Sequence, residues 1–409
     1  MALELVSWPF PKRAQGDGNM RIVSSTLILA GFLAVSTPAW ATPGEVKIGM
    51  LTTLSGPGSS LGIDVRDAFN LAVKNLGGSL GGLKATIIEV DDQQKPDVAK
   101  DAATRLIEKD KVDFATGIIF SNLMLATMPS FDRAQTYYIS ANASPSQLAG
   151  KQCTPYFFSA AYQNDNQHEA MGHYVQAKGF KNVYLMAPNY PAGKDGLNGF
   201  KRYYAGNVAG EVYTTVNQLD YAAELASLKA ANPDAVYVFY PGGMGVNFVK
   251  QWEQAGLKGK IPLFGPGFTF SEDTLAAMGD AALGTLNTAQ WSPDLDNPQN
   301  KKFVADFEAA FGRLPSVYAS QAYDAAMLID SAIRKTGGKL DDKAALGKAL
   351  MAADFKSVRG NFKFNKNHFP IQDFFLREVV KDSKGRYLNK KIAPIFQDRG
   401  DAYAGECSM

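Results

Sequence analysis

Three short stretches carry residue types that could do chemistry. In the first, His168-Glu169-Ala170-Met171-Gly172-His173, two histidines flank a glutamate, the content of a helical zinc motif. The histidines are five apart rather than four. At about 3.6 residues per turn the second ring therefore swings away from the first, and no metal pair forms on one face. With three histidines in the whole chain and no converging cysteines, no metal site is expected.

The second stretch, Gly56-Pro57-Gly58-Ser59-Ser60-Leu61-Gly62, lies between the apolar run VKIGMLTTL and the helical pattern IDVRDAFNLAVKNL. Strand, glycine loop and helix is the layout of a phosphate-binding fingerprint. Here Leu61 stands where the third glycine of G-x-G-x-x-G belongs, and no Gly-Lys-Ser/Thr ending follows. No nucleotide or other cofactor is expected. The chain also lacks a G-x-S-x-G elbow, and nothing else marks a catalytic residue.

The third set sits where strands end: Ser121-Asn122 after TGIIF, and Asn142-Ala143-Ser144 after YYIS. At the carboxyl edge of a parallel sheet, helix N-termini offer free N–H groups and hydroxyls cap them, which suits a carboxylate. Either serine alone reads equally well as a simple N-cap; the same chemistry at two adjacent strand ends favours a site. APNYPAG, VFYPGG and FGPGFTF put Tyr190, Phe239, Tyr240, Phe268 and Phe270 on or beside loops. Aromatic walls facing a polar anchor describe a pocket for an apolar acid. Strand alternation turns some of them away, Tyr237 or Phe239 among the candidates.

The elements that must position these residues alternate. VKIGML, DVRDAFNLAVKNL, KATIIEVDD, PDVAKDAATRLIEKD, VDFATGII, NLMLATMPSFDRA and TYYISA follow the rhythm of βαβ units, and a second series starts near Lys181 with NVYLMAPN. CTPYFFSAAYQNDNQHEAMGHYVQAKG between them reads as a crossover. Helices and β-like runs after Trp291 must add to sheets already laid down, so the expected fold is α/β: two Rossmann-like, parallel-sheet lobes made from discontinuous segments, with a cleft between them. At 409 residues, 46% of them hydrophobic, the chain can fill two cores. A formal net charge of +2 gives no pull toward nucleic acid or anionic membrane.

From Met20 the chain reads as an export signal: Arg21, an apolar run from Ile22 to Val35, then Pro38-Ala39-Trp40-Ala41 with an A-x-A cleavage site after Ala41. The run is shorter than the roughly 20 residues a membrane-spanning helix needs. Residues 1–19 read as an upstream leader or a mis-assigned start. No cysteine immediately follows the cleavage point, so no lipid anchor is expected on the mature chain. Cys153 and Cys407 are the only cysteines, and in an exported protein they read most economically as one disulfide, with two unpaired buried thiols as the alternative.

Taken in order, KIGMLTTLSGPGSSLG, VDDQQKPDVAKDAATRLIEKDKVDFATG, ISANASPSQL, NYPAGKDGLNGFKRYY, PDAVYVFYPGG, QWEQAGL and YASQAYDAAMLIDSAI resemble the periplasmic solute-binding proteins of the branched-chain amino-acid type, which serve ABC importers. The resemblance covers essentially the whole mature chain. It implies a type I periplasmic binding protein fold of two lobes joined by three crossovers, with no catalysis and a membrane permease as partner. It assigns 45–161 with about 290–370 to the first lobe, 162–289 with about 371–396 to the second, and 397–409 to a tail. It also implies a ligand carboxylate held by Ser121 and by Asn142, Ala143 and Ser144; of the strand-end aromatics, Tyr190, Tyr240 and Phe268 are expected as walls, and Leu61 reads equally as an apolar lid over the ligand or as packing under its own helix. The acids that hold an ammonium in amino-acid binders fall on Asn164 and Gly267, and both charges are missing. Burying an ammonium without an anion would cost several kcal/mol. The sequence therefore looks closest to the branch that binds aromatic acids such as benzoates and cinnamates. A branched-chain or other amino acid is the alternative ligand, and a sensory binding module or a periplasmic hydrolase the alternative function.

Overall fold

The structure is a computed structural model that describes residues 44–409, with positions 9, 11 and 12. The signal at 20–41 and its cleavage point lie outside the described residues, as does the leader but for those three positions.

The first half of the chain runs β1 (Glu45–Thr52), α1 (Ser59–Asn75), β2 (Ser79–Leu80), β3 (Leu83–Asp91), α2 (Pro96–Glu108), β4 (Phe114–Thr116), α3 (Ser121–Arg133), β5 (Tyr137–Ser140), α4 (Ser146–Ala149) and β6 (Phe157–Ser159). Its six strands are ordered β2-β3-β1-β4-β5-β6, all parallel apart from β2. β1 lies between β3 and β4, so the chain reverses direction across the sheet there and opens a crevice at the carboxyl ends of β1 and β4.

The second half runs α5 (Asn166–Ala177), β7 (Asn182–Pro188), α6 (Pro191–Tyr203), β8 (Asn207–Thr214), α7 (Ala222–Ala231), β9 (Ala235–Val238), α8 (Gly243–Gln254), β10 (Leu263–Pro266), α9 (Glu272–Met278) and β11 (Leu286–Ala289). It repeats the device: β7 lies between β8 and β9. After α10 (Pro298–Phe311), α11 (Val317–Lys335) and α12 (Lys343–Met351), the chain adds β12 (Lys363–Phe364), β13 (Pro370–Lys381) and β14 (Tyr387–Arg399). β13 pairs antiparallel with β11, and β12 and β14 pair with β13. Helices α10 and α11 pack on α1, and α11 also lies against β2 and β5, so the chain returns to the first sheet before finishing the second.

The loop at 56–62 is partly helical. Gly56 takes φ +74°, a conformation that favours glycine, and α1 already starts at Ser59. Gly62, one residue beyond the expected third glycine, does the close packing: a Cβ there would sit 1.9 Å from the Thr53 carbonyl oxygen.

The crossovers are tied by buried polar groups. Arg359 pairs with Asp324 at 2.9 Å and donates to the carbonyls of Ala160 and Ala161 and to Gln372 Oε1. Gln372 Nε2 donates to the Ala161 carbonyl at 2.9 Å, and Gln167 Nε2 to Gln290 Oε1 at 2.7 Å. Removing one member would strand a buried charge or donor, which costs about 3–5 kcal/mol for an ion pair. Cys153 and Cys407 are bonded, with Cα atoms 5.7 Å apart.

Candidate functional site

The loops after β1, β4 and β5 face those after β7, β9 and β10, and between them lies a narrow cavity. Six aromatic rings wall it: Phe120, Tyr162, Tyr190, Phe239, Phe268 and Tyr318. They form a contiguous set. Tyr190 packs on Phe120 and Phe239 with centroids 6.1 and 6.2 Å away; Phe268 packs on Tyr162 and Tyr318 at 4.7 and 5.4 Å. Spacings of this kind put the rings in direct contact, so the walls form one continuous aromatic surface. Among the described residues, no side chain of formal charge lines the cavity.

Its polar floor comes from Ser121 and Asn142. Ser121 opens α3, and Ala192, on the opposite wall, lies in the first turn of α6. The first turn of a helix leaves N–H groups without intrahelical acceptors, so both halves aim positive helix ends at this space. The Ser121 hydroxyl accepts from Asn164 Nδ2 at 3.1 Å, which leaves its own proton free to donate. Asn142 donates through Nδ2 to the Ile119 carbonyl at 2.7 Å and accepts from the Tyr162 hydroxyl at 3.4 Å.

Of the residues expected at the site, the structure brings Ser121, Asn142, Tyr190 and Phe268 to the cavity. The others lie around it. Ser144 Oγ pairs with Ser159 Oγ at 2.8 Å, and the Ala143 N–H is used by the Ile118 carbonyl at 3.2 Å. Asn164 supports Ser121 and also donates to Asp195 at 2.9 Å. Tyr240, expected as a wall, is fully buried against Tyr221 and Phe248, with its hydroxyl on Thr214. Phe239 takes that wall instead, because adjacent strand residues point to opposite faces and Tyr240 shares the parity of Val236 and Val238 in the second core. Leu61 points across the cleft at the loop before α8, 3.6 Å from where a Gly242 Cβ would lie.

Gly267 has no room for a side chain: a Cβ there would be 2.5 Å from Arg377 Nη2 and 2.8 Å from Ala289 Cβ. Asp165 faces away, held by Arg202 at 2.7 Å and by the Tyr403 hydroxyl at 2.8 Å. Burial and the nearby Asp195 push its carboxyl up to about 7 in spite of Arg202. His168 bonds Tyr237 through Nδ1, and burial lowers its pKa to about 3; His173 lies against the Phe396 ring.

Sequence reasoning missed Phe120, Tyr162 and Tyr318 at the cavity, and Asp195 beside it. Asp195 accepts from the Ser146 N–H and hydroxyl as well as from Asn164, and burial raises its pKa above the usual carboxylate range. Tyr162 could have been found from its place at the end of the crossover FFSAAY. Tyr318 carries no local signal. A larger hollow of about 1350 Å³, open to solvent, lies at the other end of the second sheet beside Phe264 and Leu286, and none of the expected residues lines it.

Residues 45–385 match the family of periplasmic binding proteins, and the chain belongs to that family. A relative, Leu/Ile/Val-binding protein homolog 6 of Brucella melitensis, is 29% identical over 386 residues, covering 91% of this chain and 96% of that one. The solved structure of an ABC-transporter solute-binding protein from R. palustris in complex with benzoate superposes with a TM-score of 0.85 at 31% identity, covering 90% of this chain and all of the other. A second R. palustris solute-binding protein, in complex with 4-hydroxybenzoate, gives 0.82 at 27% identity, covering 88% and 98%. The fold is the two-lobed type I periplasmic binding protein fold, and membership of the family carries with it a small-molecule ligand, a transporter partner and a periplasmic setting.

Proposed function

We propose that this protein captures an aryl carboxylate and hands it to an ABC importer in the membrane, without catalysis. The observation that carries this reading is the pairing of an aromatic box with a polar floor that has no formal charge. Ser121 and the two helix ends offer donors to a carboxylate, and nothing lining the space offers an anion to an ammonium. Leucine would have to bury its ammonium against aromatic rings and hydroxyls, at a cost of several kcal/mol. A benzoate-like acid carries no such charge and gains ring contacts on both sides. In this reading the lobes are 45–161 with about 290–370, and 162–289 with about 371–396, closing on the ligand after export through the segment at 20–41.

Calorimetry on the purified protein tests it. Benzoate- or cinnamate-like acids should bind and leucine should not. Micromolar binding of leucine, with no heat from any aryl acid, would overturn the reading.

A further inference from the structure

In the reading above, a buried carboxylate stands beside the site of an anion, an arrangement that costs affinity unless the charge serves another purpose. Asp195 is 6% exposed and does not line the cavity. Its oxygens accept from the Ser146 N–H and hydroxyl and from Asn164 Nδ2, at 3.0, 2.7 and 2.9 Å. Asn164, 2% exposed, uses the rest of its amide close by: Nδ2 also donates to Ser121 Oγ at 3.1 Å, and Oδ1 accepts from the Ser144 N–H at 3.3 Å. A backbone N–H can only donate and an ionised carboxylate can only accept, so the amide has one orientation here, with its NH2 toward Asp195 and Ser121. Both amide hydrogens are committed, and Asn164 itself does not line the cavity.

Resting on the reading of this site as one for an aryl carboxylate, we propose that Asn164, held by Asp195, is the positioning residue that makes Ser121 a hydrogen-bond donor to the ligand. A serine hydroxyl has one proton and two lone pairs and turns freely about its bond. With a lone pair engaged by the Asn164 N–H, the proton points away from that N–H, and Ser121 lines the cavity. The negative charge of Asp195 is thus relayed through an amide and a hydroxyl, each bond polarising the next, and reaches the ligand as a donor. Were residue 164 an acid, the oxygen in place of Nδ2 would accept the serine's proton, and Ser121 would turn lone pairs toward a carboxylate. The amide therefore fixes the sign of the floor at Ser121. The relay joins three parts of the fold: Ser121 opens α3, Asn164 lies in the crossover just before α5, and Asp195 is on α6. The donor is set where the two halves meet.

The test is calorimetry with benzoate and its neutral analogue benzamide on the intact protein and on Ser121→Ala, Asn164→Ala, the double variant and Asn164→Asp, each checked for an unchanged near-ultraviolet dichroism spectrum. Ser121→Ala should weaken benzoate about tenfold or more, and Asn164→Ala about fivefold. The double variant should match Ser121→Ala to within about twofold, because Asn164 acts through the hydroxyl and has nothing left to act on. Asn164→Asp, which keeps the shape of the side chain, should lower the ratio of benzoate to benzamide affinity about tenfold or more. General damage to the pocket would weaken both ligands and leave that ratio alone. Losses that multiply in the double variant would overturn the proposal, and so would an unchanged ratio in Asn164→Asp, which decides by itself if Asn164→Ala does not fold. If the intact protein binds leucine and neither aryl compound, the functional reading falls and the proposal with it, an outcome recognised before any variant is made.

Discussion

Ser146 donates both its backbone N–H and its hydroxyl to the carboxylate of Asp195, at 3.0 and 2.7 Å. The serine opens α4, in the loop after β5; the aspartate lies on α6, after β7. The contact therefore runs from one half of the molecule to the other, beside the cavity and without entering it. Ser60 Oγ to Asp273 at 2.8 Å and the Gly243 N–H to the Pro57 carbonyl at 3.1 Å run the same way.

Ser146→Ala should weaken ligand binding without touching the ligand. Hydrogen bonds to a charged group contribute about 1.5–3 kcal/mol, so a loss of about tenfold is expected, carried mainly by faster dissociation. Stopped-flow release measured beside equilibrium affinity checks this. An unchanged dissociation rate would mean that the pair does not hold the halves together.

Phe239 and Tyr240 are neighbours with opposite duties. Phe239→Ala should abolish most aryl-acid binding, a loss of tenfold or more on the order of other aromatic anchors, while the fold survives. Tyr240→Phe should leave affinity within about twofold and lower stability by about 0.5–1.5 kcal/mol through the lost bond to Thr214. The reverse pattern in titration and thermal melting would show the strand turned over.

Those two residues also mark how far the sequence could be read. The alternation of strands and helices was legible because each apolar run ends in turn chemistry, and Ser121 because it follows an apolar strand and opens a helix. The parity of AVYVFY was not: both faces of that strand are buried, so its pattern is apolar throughout and contains no marker for the cavity side. Ser144 has the same type and position as a ligand donor, but the neighbouring Ser159 hydroxyl claims it. Tyr318 reaches the cavity from a helix far along the chain, a proximity only tertiary packing creates.

Asp64 on α1 and Asp273 on α9 make the stability of the protein depend on pH. Burial and then Asp273 push Asp64 up to about 7, against the pull of Arg313 at 2.7 Å and the Ser316 N–H; Asp67 adds repulsion. Asp273, which accepts from Ser60, is raised by its own burial. A carboxyl raised in the native state holds a proton that the unfolded chain has released, so stability falls as pH rises from about 4 to about 7. His168, lowered to about 3, acts oppositely below about pH 6.5, and Asp92, raised to about 6 by burial, acts with Asp64. The measurement is therefore a difference: melting temperatures of the native protein and of Asp64→Asn between about pH 5 and about pH 8. The fall with pH should be shallower in the variant, and parallel curves would remove Asp64 from the account.

Cys407→Ser should lower stability by about 2–4 kcal/mol, the usual range for a native bridge, without altering ligand affinity, since neither cysteine lines the cavity. The Tyr403 hydroxyl on Asp165, also bonded by Arg202, should keep the tail partly docked. Denaturant unfolding and calorimetry on the same sample decide it. A bridge that contributes nothing would leave the midpoint where it was.

The return of the chain to its first sheet through α10, α11 and α12 before β13 is made imposes an order of manufacture. While the polypeptide emerges amino end first, β11 waits with an unpaired edge for about 80 residues, until β13 arrives to cover it. During that interval the nascent protein presents a bare strand, the commonest template for joining one molecule to another. A chain cut short before residue 370 would never lose that edge. Truncated products of this gene should be found in aggregates or on chaperones, and neither half of the molecule could be separated from the other by a single cut between them.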